Sequence, residues 1–345
     1  MTQSTILSKI ILRKRNQRKN AKMLHIDTPN RVTESSYVKI GGIEQWISIR
    51  GEDHKNPILL FIHGGPASTY SIFSPLLRSW EKHFTIVQWD QRGAGKTYTR
   101  NGKVGCGMIS FDRLAQDGIE LTEYLVHKLH HQKLILIGSS VGSLIGIMMA
   151  KQRPDLFHAY VGTDQNSPDP QLLSYQLTLD ALSASGQSKG VKLVERMGPD
   201  RSSWSQKDFD KRNQYIVKAV KDVPNMITDL ILPSMLSSPE HKMSDLIDYF
   251  KGMSFSLERL FGELLNFDFN KVGTSFKLPF FVFHGDKDIV TPTALAQSYV
   301  DMIEAPYKEF VLIRDAGHLA CFARTEQFLE ELLNRVYPLI PDTAK

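Results

Sequence analysis

Three short stretches of this chain are almost wholly apolar: Ile58-Leu59-Leu60-Phe61-Ile62, Phe84-Thr85-Ile86-Val87 and Leu134-Ile135-Leu136-Ile137. A strand with one face in water alternates apolar and polar positions. Runs without that alternation are buried on both faces, as in a parallel sheet covered by helices. Between them, Phe111, Leu114, Ile119, Leu121, Leu125 and Leu129 recur at helical spacing, which predicts a helix over 111–130. The strand pattern resumes at 278–283 and 310–313, and a helical run over about 324–336 closes the chain. Ahead of the first buried run, residues 36–40 and 43–49 read as two strands joined at Gly41-Gly42, a hairpin signal.

The block from 165 to 275 differs in texture. It is rich in Ser, Asp, Lys and Met, has helical periodicity and lacks buried-strand runs. The expected organisation is therefore a basic N-terminal tail (1–30), an α/β core built from 31–164 and 276–345, and an inserted helical cap or lid (165–275).

A chain of 345 residues with 41% hydrophobic and 23% charged residues can bury a sizeable core, which excludes wholesale disorder. Two cysteines are too few for a disulfide scaffold or a four-cysteine zinc site, so a reduced, cytoplasmic setting is the simplest expectation. The net charge of +5 is unevenly placed. Residues 1–22 hold seven cations (Lys9, Arg13, Lys14, Arg15, Arg18, Lys19, Lys22) and no acid, which leaves −2 for the rest. A folded nucleic-acid-binding face is thereby disfavoured. The tail lacks the order of a secretory signal, and no run reaches the ~18 apolar residues of a membrane span. Ile6, Leu7, Ile10 and Ile11 share one helical face, which allows a weak contact with an acidic membrane surface; the alternative is a loose, solvated chain end.

The chemistry concentrates at the ends of the predicted strands. Gly138-Ser139-Ser140-Val141-Gly142 follows the strand at 134–137 directly and opens a helix. A Gly-x-Ser-x-Gly turn between strand and helix is a nucleophile elbow, in which the central serine, Ser140, is held with its hydroxyl exposed above the sheet. The helix N-terminus adds partial positive charge where an oxyanion would form. Phe61-Ile62-His63-Gly64-Gly65-Pro66 ends an earlier strand in a glycine-rich loop. The expected oxyanion hole is the N–H of Val141 with that of Gly65. His63 reads as a structural histidine at the base of the loop. Gly95-Lys96-Thr97 lacks the glycine a phosphate loop needs five residues earlier, where Asp90 stands, so Asp90 and Arg92 are expected in structural hydrogen bonds.

A nucleophilic serine needs a base and an orienting acid. His318, in Asp315-Ala316-Gly317-His318, lies just past the last apolar strand, where open α/β sheets place their chemistry. The acid is expected in the loop after the preceding strand, Gly285-Asp286-Lys287-Asp288. There Asp286 reads as the turn residue and Asp288, carried past the turn, as the acid. The chain order Ser, Asp, His matches that of α/β hydrolases.

Together, His63-Gly-Gly-Pro66, Asp90-Gln-Arg-Gly93, Gly138-x-Ser140-x-Gly142, Gly285-x-x-Asp288 and Gly317-His318 resemble the α/β-hydrolase superfamily, and within it the proline iminopeptidase branch. The resemblance spans about 36–340. It implies the α/β-hydrolase fold, a mostly parallel sheet flanked by helices, with Ser140, Asp288 and His318 as a catalytic triad, Gly65 and Val141 as oxyanion donors, and neither metal nor cofactor. Three positions depart from the branch: Ala67 and Val141 replace its usual glycine and tryptophan, and Trp204 is followed by Ser205 where the branch has a Trp-Glu pair whose glutamate holds the substrate amine. Glu258 and Glu263 offer cap carboxylates for that amine, but both are expected on a solvated face. The expectation is a serine hydrolase, esterase-like or aminopeptidase-like, acting on an ester or amide bond of a small, largely apolar molecule or short peptide. A non-catalytic ligand sensor on the same scaffold is the reading of another class.

Overall fold

The computed structural model describes residues 10–341. Eight strands form one sheet: β1 (Val32–Ile40), β2 (Ile43–Gly51), β3 (Ile58–Ile62), β4 (Thr85–Asp90), β5 (Leu134–Ser139), β6 (Phe157–Thr163), β7 (Phe280–Gly285) and β8 (Lys308–Ile313). Their spatial order is β1-β2-β4-β3-β5-β6-β7-β8. The first three neighbours pair antiparallel and the rest, from β4 onward, pair parallel. The hairpin turns at Gly41 and Gly42, both with positive φ, as their lack of a side chain permits.

The unalternating runs feed two cores, one on each face of the sheet. Leu60 and Ile62 of β3, Leu134 and Leu136 of β5, and Phe280 and Val282 of β7 pack on one side. Their neighbours Leu59, Phe61, Ile135, Ile137, Phe281 and Phe283 pack on the other. Successive side chains of a strand point to opposite faces, so a strand covered on both sides needs apolar residues at every position. Helices α1 (Arg13–Met23), α2 (Gly95–Gly105), α3 (Phe111–Lys128) and α4 (Val141–Gln152) precede β6, and α3 matches the predicted amphipathic run.

One strand, β6, departs from the expected pattern. Phe157-His-Ala-Tyr-Val-Gly-Thr163 interrupts its apolar residues with His158 and Gly162, yet all its residues except half-buried His158 lie in the interior. Its position matters because β6 sits between β5 and β7, the strands that precede the candidate nucleophile and acid.

Between β6 and β7 the chain is helical: α5 (Leu173–Ala184), α6 (Ser188–Met197), α7 (Gln206–Ala219), α8 (Leu232–Ser237), α9 (Met243–Leu265) and α10 (Phe269–Val272). The long α9 ties this layer to the core. Tyr249 and Ser68 share a hydrogen bond of 2.6 Å, and the Ser256 hydroxyl donates to the Gly93 carbonyl at 3.2 Å. Helices α11 (Thr293–Met302), α12 (Ala320–Ala323) and α13 (Thr325–Glu331) complete the core.

The described part of the basic tail is not a loose end. Along α1, the side chains of Arg13, Gln17 and Asn20 donate to the carbonyls of His241, Ser238 and Ser237. Ile10 and Ile11 are exposed, and Ile6 and Leu7 of the proposed membrane-facing stripe lie outside the described residues. No helix among the described residues is long and apolar enough to cross a membrane.

Candidate active site

Ser140 occupies the single residue between β5 and α4, with φ 53° and ψ −126°. That backbone is unfavourable for a residue with a side chain. Its surroundings hold it there: its N–H donates to the Thr163 carbonyl at 3.1 Å, and its carbonyl accepts from Ser143 N–H at 2.8 Å and Ser143 Oγ at 2.6 Å. Close approach explains the nearby glycines. A Cβ on Gly142 would lie 2.1 Å from the Ile62 carbonyl oxygen, and one on Gly64 would lie 2.7 Å from Ser140 Cβ. Only glycine lets α4 and the loop after β3 close on the elbow from both sides.

The three residues expected to act together converge from three strand ends. Ser140 Oγ lies 3.0 Å from His318 Nε2, and His318 Nδ1 lies 2.8 Å from Asp288 Oδ2. With Nδ1–H donating to the carboxylate, Nε2 of the uncharged ring faces the serine hydroxyl as an acceptor. Asp288 is held as firmly. Its Oδ1 accepts from the N–H groups of Val290 at 2.8 Å and Thr291 at 3.1 Å, and its Oδ2 accepts from Thr291 Oγ1 at 2.8 Å. Burial pushes the Asp288 carboxyl up, but the His318 imidazolium and the Thr291 hydroxyl outweigh it and hold it below the usual range. Burial likewise pushes His318 down, and the Asp288 and Asp164 carboxylates reverse that, leaving it above the ordinary histidine range.

Asp286, the competing aspartate, accepts the Ala316 N–H at 3.2 Å and so ties the two loops together away from the ring. Ser139 points the other way from Ser140: its hydroxyl donates to Asp164 Oδ2 at 2.9 Å and meets the Tyr70 hydroxyl at 2.8 Å. His63 accepts the Gln91 N–H at Nε2 (3.2 Å), and its carbonyl accepts from Gln91 Nε2 (2.9 Å). Burial lowers its pKa to about 4, which suits a fixed, uncharged brace. Arg92 is bidentate to Asp117 (2.8 and 3.2 Å) and also donates to the carbonyls of Cys106 and Gly41.

Asp164 carries no signal in the sequence. It follows β6, the strand whose pattern is too irregular to predict. With φ 50°, it accepts the N–H groups of Leu319 (2.9 Å) and Ala320 (3.1 Å), the two residues after His318. His284, at the end of β7, accepts from the Gln165 N–H and donates to the Thr291 carbonyl at 2.8 Å, which steadies the acid loop. Asp164, Asp288 and His318 are the grouping, among the described residues, close enough to share a cation. Their polar atoms are already committed to one another and to the N–H and O–H donors named above.

A cavity of about 810 Å³ opens above these groups, lined by Ser140, His318, Gly65 and Val141. The Val141 N–H is the first of α4 and has no acceptor within its own helix. Gly65, which lines the same cavity, has φ 114°, a backbone that favours glycine. Met253, Ile231, Leu295 and Leu319 add apolar walls, while α7 and the segment before it add polar ones.

A family model described as alpha/beta hydrolase fold matches residues 57–325. The chain belongs to the alpha/beta hydrolase fold family. It is 28% identical over 287 residues to the probable aminopeptidase YbaC of Bacillus subtilis (strain 168), which covers 81% of this chain and 89% of that protein. It is 21% identical over 307 residues to a proline iminopeptidase of Lactobacillus delbrueckii subsp. bulgaricus, covering 88% and 97%. Among solved structures, the fold matches a proline iminopeptidase-related protein from Thermus thermophilus with a TM-score of 0.59 at 18% identity, over 90% of this chain and 100% of that one. The chain is thus an α/β-fold hydrolase that resembles the proline iminopeptidase branch.

Proposed function

We propose that this hydrolase cleaves an ester or amide bond of a small molecule or short peptide by serine catalysis, without metal or cofactor. The observation that carries this reading is the relay from Asp288 through His318 to Ser140, with links of 2.8 and 3.0 Å. His318 Nε2 takes the Ser140 proton as Oγ bonds to the substrate carbonyl carbon. The negative charge that develops on the carbonyl oxygen faces the N–H groups of Val141 and Gly65. The imidazolium then protonates the departing alcohol or amine as its bond to carbon breaks. Water then bonds to the acyl carbon as His318 takes its proton, and His318 returns that proton to Ser140 Oγ as the acyl–serine bond breaks and the acid leaves. Asp288 keeps the imidazole in the productive tautomer throughout. The helices of 165–275 act as the cap that closes the cavity over the substrate.

An esterase-like preference is favoured over an iminopeptidase-like one by the cap. Glu263 is engaged by the Phe111 N–H at 2.9 Å, and neither Glu258 nor Glu263 lines the cavity. The carboxylates that do line it are Asp169 and Asp210. Asp169 is taken up by the N–H groups of Leu173 and Ser174 and the Ser174 hydroxyl, and Asp210 is exposed to solvent. The test is labelling with a neutral fluorophosphonate together with turnover of 4-nitrophenyl valerate. Wild type should do both and Ser140→Ala neither, while Ser139→Ala should still be labelled. Labelling that persists in Ser140→Ala would overturn the assignment.

A further inference from the structure

Two arginines at the cap end of the cavity, Arg201 and Arg212, make no direct ion pair with a carboxylate, although the charge of Asp169 reaches Arg201. Arg212, on α7, is 6% exposed and donates to two neutral acceptors, Thr178 Oγ1 at 2.8 Å and Asn213 Oδ1 at 3.1 Å. Its Nε is buried without an acceptor, and so is the Nε of Arg201. Both guanidinium groups lie over the Trp204 indole, at 5.2 Å and 5.9 Å from a ring centroid. Trp204, Arg201 and Arg212 all line the cavity that holds Ser140 and His318.

This arrangement is unfavourable as it stands. A buried cation is normally paired, and here burial and the neighbouring charge of Arg201 lower the Arg212 pKa to about 10. Two like charges share one aromatic plate, where a purely structural pair would bring in an acid. Other buried arginines in this protein do so: Arg92 has Asp117, and Arg50 has Glu81. Of the carboxylates that line the cavity, Asp169 is held by the start of α5 and acts on Arg201 only as a nearby charge beyond ion-pair distance, and Asp210 is exposed and makes no ion pair with either arginine.

We infer that Arg201 and Arg212, backed by Trp204, form a subsite for a carboxylate carried by the substrate at a distance from the bond that Ser140 cleaves. Guanidinium groups present fixed N–H forks that match a carboxylate, and stacking on an aromatic ring holds the fork flat while leaving its edge open. A monoanion suits the balance of charge better than a dianionic phosphate. The cavity lining contains three cations, Arg201, Arg212 and Lys218, against two carboxylates, which leaves one net positive charge. The substrate class is then an ester or amide with a free carboxylate on its acyl or leaving group and an apolar middle. This rests on the serine-hydrolase reading above and sharpens it.

The test uses matched pairs of esters. On the acyl side, 4-nitrophenyl hydrogen glutarate and its succinate and adipate homologues are compared with neutral 4-nitrophenyl esters of equal length. On the leaving-group side, the valerate ester of 4-hydroxybenzoate is compared with that of methyl 4-hydroxybenzoate. In at least one series, wild type should favour the anionic member by about tenfold or more in kcat/KM, which corresponds to about 1.4 kcal/mol. Arg212→Met and Arg201→Met should each reduce that ratio at least about fivefold. Circular dichroism identifies a variant that does not fold, and if Arg212→Met is one, the half-buried Arg201 carries the test through Arg201→Met. Equal rates for charged and neutral members in both series would overturn the subsite. So would a ratio that survives both substitutions, because the arginines would then only brace the cap. Preference for an ester bearing a terminal phosphate over the carboxylate ester would overturn the choice of carboxylate. Loss of fluorophosphonate labelling at Ser140 in wild type is the separate outcome that defeats the serine-hydrolase reading itself.

Discussion

A carboxylate oxygen of Asp164 lies within 4.8 Å of a ring nitrogen of His318, although Asp288 is the carboxylate that touches the ring. Asp164 reaches the histidine loop through the backbone, accepting the N–H groups of Leu319 and Ala320. It therefore fixes where the loop sits and also adds negative charge beside the imidazole.

That second effect has a measurable sign. His318 must lose its proton to act as a base. Burial lowers its pKa, but Asp288 and Asp164 together hold it above the ordinary range, which is about 6.5. The acid limb of kcat/KM should therefore rise through a pKa above about 6.5. Asp164→Asn keeps the side-chain shape and one acceptor while removing the charge, so the limb should move to lower pH. A pH profile superimposable on wild type would show that Asp164 only positions the loop.

The two aspartates of the acid loop should separate sharply. Asp288→Asn should lower kcat by about four orders of magnitude, because the imidazole loses the partner that sets its tautomer. Asp286→Asn retains an oxygen to accept the Ala316 N–H, and its loss should stay within about tenfold. Single-substrate kinetics on 4-nitrophenyl valerate decide between them, and the reverse order would move the acid to Asp286.

Two glycines test the close packing around the elbow. A methyl group at Gly64 would stand 2.7 Å from both Ser140 Cβ and the Ser139 carbonyl, so Gly64→Ala should displace the loop that carries Gly65. The expected loss in kcat is about 10²–10³, that of one oxyanion donor. Gly262, exposed within α9, has open space at the same position. Gly262→Ala should leave kcat unchanged and raise stability to denaturant by about 0.5–1 kcal/mol.

Ester and amine substrates should also part. A free α-amine is cationic near neutral pH and is costly to bury without a carboxylate. With Glu263 held at the Phe111 N–H and Glu258 outside the cavity, kcat/KM for a short or medium acyl ester should exceed that for prolyl arylamide by at least about tenfold. Initial rates with matched leaving groups measure this, and a clear preference for the arylamide would point to Asp210 as the amine's partner.

Much of the site is legible in the chain because its constraints are local. The elbow needs glycines within two residues of Ser140, and the strand before it needs apolar residues on both faces, so 134–142 carries its own signature. The same holds for Ile58–Ile62 with its glycine loop, and for His318 just past β8. Where a strand is irregular the signal fails. Phe157–Thr163 contains a histidine and a glycine, so the periodicity reveals neither β6 nor Asp164 after it.

Local pattern alone was enough for the strands buried on both faces of the sheet and for the helical nature of the segment between β6 and β7. Each follows from sterics or hydrophobic periodicity within a few residues. Which groups meet is a property of the closed chain. Folding sets the 3.0 Å approach of residues 178 apart at Ser140 and His318, the anchoring of α1 on the carbonyls of 237–241, and the pairing of Arg201 and Arg212 over Trp204 without an acid. Such contacts depend on how distant segments exclude water from one another, and a charge left unpaired by that exclusion is visible only after the chain has closed around it.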